Sequence, residues 1–86
     1  MTTMTTTETV VLRALCDAGR RCIAAVTEDR LLSGFEYIDR VALRATLYSL
    51  LDAGLVEAVD ADWGDTQGVT EWRASRAGCR AERRLR

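Results

Sequence analysis

VALRATLYSLLDAGLVEAV, residues Val41–Val59, changes its period halfway along, and the point of change decides the fold. At helical spacing Leu43, Leu47, Leu50 and Leu51 fall on one face, with Leu43 and Leu47 one turn apart. Gly54 closes that pattern, because glycine takes the left-handed backbone that ends a helix. From Leu55 the period is two, with Leu55, Glu57 and Val59 on one side and Val56 and Ala58 on the other. A long helix that turns at once into a strand is therefore expected. With Leu43 and Leu47 inward, the outward side carries Val41, Ala45, Tyr48 and Asp52, edged by Arg44 on one flank and by Ala42 and Ser49 on the other.

Upstream, Asp39 is placed to cap this helix, and Phe35-Glu36-Tyr37-Ile38 connects it to a shorter one. Thr27 caps the short helix, with Glu28 and Asp29 in its first turn, where acids suit the dipole, and Ser33-Gly34 as its stop. Leu31 and Leu32 supply its buried contacts. Further back, Thr5 with Glu8 fits a capping box, with Thr7 as an alternative cap, for a first helix whose apolar side is Val11, Leu12, Leu15 and Ala18. Arg13 and Asp17 make a pair of favourable sign on its other side, and Gly19 is expected to end it. Between the first and second helices, Cys22–Val26 suits a small strand or a helical start equally. Residues 1–7, MTTMTTT, look like a disordered lead-in to a single domain over 8–86.

Downstream, the turn formers of residues 60–68 separate Leu55–Val59 from a second run, Val69–Ala74. In that run Thr70, Trp72 and Ala74 share one face, and the two runs make a hairpin. Ser75 then caps a last helix reaching to Leu85. The helix-to-strand passage LLDAGLV resembles the third helix and first wing strand of a winged helix-turn-helix domain. WRASRAGCRAERR is similar to the end of the wing and the next helix in small bacterial or phage winged-helix regulators. The resemblance implies an α+β, mainly α fold: a three-helix core, a two-stranded wing and a C-terminal helix. It also implies that the helix opening the Val41–Val59 stretch enters the DNA major groove.

Composition narrows the classes of function. With 86 residues, 48% apolar and 29% charged, the chain makes one soluble globular domain, expected in the cytoplasm. No segment has the length and apolarity of a membrane span. Histidine is absent and the three cysteines, Cys16, Cys22 and Cys79, lack metal-ligand spacing, so no cofactor or metal is expected and the thiols read as plain buried or half-buried ones. Without histidine, Cys16 or Ser33 has no usual general base, which argues against an enzyme. The arginine-only usage of basic residues and the alanine richness suit a high-GC genome.

Charge distribution carries the rest. The net charge is −1, low for a DNA-binding protein, and residues 52–71 hold six acids and no arginine. The last fourteen residues hold six arginines against one glutamate, a net +5. The resemblance implies a DNA-binding regulator acting on double-stranded DNA and compatible with a homodimer, and a chain of 86 residues is expected to hold no effector domain besides. Arg40, Arg44 and Tyr48 would meet the bases or their phosphates, and Arg73, Arg76, Arg80 and Arg83 the phosphate backbone. The rival reading is a protein-binding winged helix that uses the small apolar face Val41, Ala45 and Tyr48, with Trp63 on an acidic wing as anchor.

Overall fold

The computed structural model describes residues 4–21, 25–61 and 69–85. Its elements run α1 (Thr6–Arg20), β1 (Val26–Thr27), α2 (Glu28–Ser33), α3 (Arg40–Asp52), β2 (Val56–Ala61), β3 (Val69–Ala74) and α4 (Arg76–Arg84). Cys22, Asp62, Trp63 and Asp65 lie outside the described residues.

Each helix begins where a side-chain oxygen can take an orphan amide. Thr5 and Glu8 form a reciprocal capping box at 3.1 and 3.2 Å, so Thr5–Thr7 belong to the start of α1 and not to a lead-in. Thr27 accepts from the Arg30 amide, Asp39 from the Ala42 amide at 2.7 Å, and Ser75 from the Gly78 amide at 3.0 Å. The first helix outlasts the stop expected at Gly19. It runs to Arg20, and the Arg21 amide closes it on the carbonyls of Asp17 and Ala18. Gly19 adopts no left-handed backbone, so it has no reason to terminate the helix. Arg13 reaches Glu82, at 3.7 Å, and Asp17 pairs with Arg20.

Gly54, by contrast, has a φ of 76°. The amides of Gly54 and Leu55 bond back to the carbonyls of Leu51 and Leu50 at 3.0 and 2.9 Å, which is the Schellman closure. The chain leaves this turn directly into β2.

The core is one cluster. Val11, Leu12, Leu15 and Cys16 of α1 meet Leu31 of α2, Leu43, Leu47 and Leu50 of α3, and Val26, Val56 and Trp72 of the sheet. Phe35, Ile38 and Leu51 pack against its edge, half-buried. The three strands are antiparallel in the order β1-β3-β2, with Val26 opposite Trp72 and Ala58 opposite Trp72 from the other side. The expected two-stranded wing thus has a third, two-residue strand. It ties the start of the helix-turn-helix pair to the base of the wing.

The last helix is docked by contacts with no slack. Ser75 Oγ donates to the Gly54 carbonyl at 2.6 Å, and the Ser75 amide donates to the Leu55 carbonyl at 3.0 Å. A Cβ on Gly78 would lie 1.9 Å from the Leu55 carbonyl oxygen and 3.1 Å from Leu12 Cδ1. Further along α4, the fully buried Glu82 is held by Arg20 Nη2 at 2.8 Å and Arg13 Nε at 3.7 Å, so its charge is compensated from α1.

Two substitutions measure this packing by urea unfolding. Leu47→Ala is expected to cost about 2–5 kcal/mol, the range for emptying a buried leucine site. Gly78→Ala adds one methyl group, yet it should cost about 1–3 kcal/mol because backbone, and not a flexible side chain, fills the space. A loss below about half a kcal/mol, the range of ordinary surface positions, would contradict either assignment.

Candidate nucleic-acid interface

The orientation of α3 follows from its buried positions. Leu43, Leu47 and Leu50 have no exposed surface, and Thr46 joins them, its hydroxyl bonded to the Ala42 carbonyl at 2.8 Å. The opposite side therefore faces outward. Val41 is 79% exposed and Tyr48 55%, with Ala45, Arg44, Ser49 and Asp52 exposed between and beside them. Arg40, Val41, Arg44, Ala45 and Tyr48 together line one shallow cavity of about 400 Å³. The turn before α3 adds Tyr37, which is 95% exposed.

The two arginines of this surface are not free chains. Arg40 pairs with Glu28 at 3.0 Å and with Asp29, both on α2. Arg44 places Nε and Nη2 on the two oxygens of the same Glu28 carboxylate, at 3.3 and 3.2 Å. Asp29, by hydrogen bond and by charge, pushes the Arg40 guanidinium still further above its ordinary value. The Glu28 side chain is largely covered, while those of Arg40 and Arg44 stay about half exposed. Glu28 thus holds two guanidinium groups side by side from below and leaves their outer edges accessible. In sequence, its place in the first turn of α2 reads only as a dipole contribution. The long-range pairing, across 12 and 16 positions, has no local sequence signature.

Tyr48 has a structural contact as well as an exposed face. Its ring meets the ring of buried Trp72 edge-on, with centroids 5.7 Å apart and planes at 88°. It therefore bridges α3 and β3 at the rim of the core.

The other arginines occupy different ground. Arg73 pairs with Glu57 across the β2–β3 register, Nε to Oε2 at 2.6 Å. Arg76, Arg80 and Arg83 are exposed on α4 and line a cavity of about 290 Å³ with Ala74, Ser75 and Cys79. The arginines and the tyrosine named from sequence are thus brought together as two groups, Arg40, Arg44 and Tyr48 on α3, and Arg76, Arg80 and Arg83 on α4, with Arg73 engaged on the wing. Among the described residues, no group of three or more cysteine, aspartate or glutamate side chains is arranged to hold a metal ion. No helix among them is long and apolar enough to cross a membrane.

No protein-family model and no curated protein matches the sequence. Solved structures do match the fold. ZitR from Lactococcus lactis, described as a zinc-responsive MarR family member, superposes with a TM-score of 0.75 at 17% identity, over 95% of this chain and 51% of that one. Wild-type MarR from E. coli, in its apo form, matches with a TM-score of 0.73 at 22% identity, over 95% of this chain and 57% of that one. The chain spans about half the length of the structures it matches. Its element order, its wing and these matches make it a winged helix-turn-helix domain.

Proposed function

We propose that this domain binds double-stranded DNA, with α3 in the major groove, as the DNA-binding part of a transcriptional regulator and not as an enzyme. The observation that carries the reading is the paired presentation of Arg40 and Arg44, one turn apart on the exposed side of the second helix of the helix-turn-helix, beside Val41 and Ala45. Guanidinium groups bond guanine edges in the major groove, and small apolar side chains meet thymine methyl groups. The likeness to MarR, described as a multiple antibiotic resistance repressor, supports the class of function. Arg76, Arg80 and Arg83 suit phosphate contacts, and Arg73 reaches phosphate by exchanging its Glu57 partner. A regulator of this kind works in the cytoplasm, and a homodimer would read two half-sites.

A second reading has its own observation. The exposed face of α3 and its preceding turn carries Tyr37, Val41 and Tyr48, while Arg40 and Arg44 already hold carboxylate partners. Such a face also suits a protein partner with an apolar surface.

Binding to random-sequence duplex, titrated with salt, separates the two. DNA binding by arginines is expected to weaken steadily as salt rises. Arg44→Ala should cost about 1–3 kcal/mol and relax base preference, whereas Arg80→Ala should weaken all sequences alike and flatten the salt slope by about one. Absence of salt-sensitive retention at low ionic strength would overturn the proposal and leave the apolar face as the binding surface. A second measurement concerns Glu28 alone. Glu28→Gln removes a negative charge from beneath the guanidinium groups, so affinity for random duplex should rise while discrimination between sequences falls. Unchanged discrimination would show that Glu28 does not orient the arginines.

A further inference from the structure

Cys16 of α1 and Cys79 of α4 are 63 positions apart in sequence, and their sulfurs lie 3.7 Å apart in the fold. The Cys16 thiol donates to Cys79 Sγ. Burial, and then that hydrogen bond, pushes the Cys16 thiol up to about 12, so it stands protonated behind its neighbour. Cys79 is half-buried and sits in the walls of two clefts. One, of about 320 Å³, also contains Cys16, Arg20, Arg73 and Arg83. The other, of about 290 Å³, contains Arg76, Arg80 and Arg83. A solute entering the second cleft meets Cys79 with arginines about it and meets no Cys16. The sulfurs are in van der Waals contact, and a shift of under about 2 Å brings them to bonding distance.

We propose that Cys16 and Cys79 form an oxidisable dithiol, and that a small anionic disulfide, drawn to the arginines of α4, converts it to a disulfide joining α1 to α4. Cys79 loses its proton to solvent, and its sulfur attacks one sulfur of the small disulfide. That S–S bond breaks, one thiolate leaves and takes up a proton, and Cys79 carries the mixed disulfide. Cys16 then loses its proton through the cleft it lines, its thiolate attacks the Cys79 sulfur, the mixed S–S bond breaks, and the second thiolate departs and takes up a proton. The protein gives up two electrons and two protons. The small disulfide gains both and leaves as two thiols.

The test uses the full chain, reduced, in its natural form and with Cys22→Ser. Each is exposed to oxidised glutathione, quenched by acid and alkylated, then mapped by non-reducing peptide mass spectrometry. The expected product is a monomer linked through Cys16 and Cys79. Its thermal midpoint should be raised by roughly 5 °C or more, because the bond closes a long loop in the unfolded chain. Cys16→Ser should stop at a mixed disulfide on Cys79, and Cys79→Ser should not react at the same rate. At low salt, oxidised glutathione should react at least several-fold faster than cystamine, a cationic disulfide, with the gap closing as salt rises. Linkage through Cys22 or between chains would overturn the proposal. So would a mixed disulfide that Cys16 never resolves, a reaction whose rate tracks global unfolding, or equal rates for the two disulfides.

Discussion

The approach of the Gly78 backbone to the Leu55 carbonyl is the constraint on which the arrangement rests. Leu55 follows the left-handed Gly54, so its carbonyl sits where α3 ends and the wing begins. That oxygen accepts the Ser75 amide at 3.0 Å, and Ser75 also caps α4. One short stretch of backbone therefore sets three directions: the axis of α3, the exit of β2 and the start of α4. Close-packed backbone is little compressible, so one of these directions cannot change without straining the contacts that fix the others. The outward face of α3 inherits its orientation from this junction as much as from the leucines beneath it.

The helical half of the fold was legible because its signals are local. Thr5 with Glu8, Thr27, Asp39 and Ser75 each cap the helix expected of them, and Gly54 has the backbone that its position after the leucine face demands. The hairpin strands were readable as alternating runs, and Trp72 points inward as its face requires. What stayed open or escaped was non-local. A small strand over Cys22–Val26 is one of two equal readings of the sequence. β1, at Val26–Thr27, is too short to show any period and exists because β3 offers it an edge at Trp72 and Glu71. Gly19 resembles a stop by identity alone, since only its φ distinguishes it from Gly54.

The candidate site was legible in part. Exposure of Val41, Ala45, Tyr48 and Arg44 follows from one helical period, so those residues were readable as soon as Leu43 and Leu47 were placed inside. Their partners were not. Glu28 beneath Arg40 and Arg44, Trp72 beside Tyr48 and Glu57 beside Arg73 are joined only by the tertiary fold. The cysteines make the same point: three thiols without metal spacing read as plain buried or half-buried ones, and only the α1–α4 contact sets two of them side by side. Glu82 reads as the lone acid of a basic tail, and the fold buries it under two arginines of α1.

The carboxylates of Glu28 and Asp29 have a thermodynamic consequence for any polyanion that approaches α3. They act as counterions tethered to the protein, set against Arg40 and Arg44 and unable to diffuse away. The cations condensed on such a polyanion are displaced only by net positive charge, and the two carboxylates leave Arg40 and Arg44 with little of it to offer. The entropy of ion release that ordinarily favours arginine–phosphate contact is therefore reduced on this helix. Association there depends correspondingly more on shape and on directed hydrogen bonds than its count of guanidinium groups suggests.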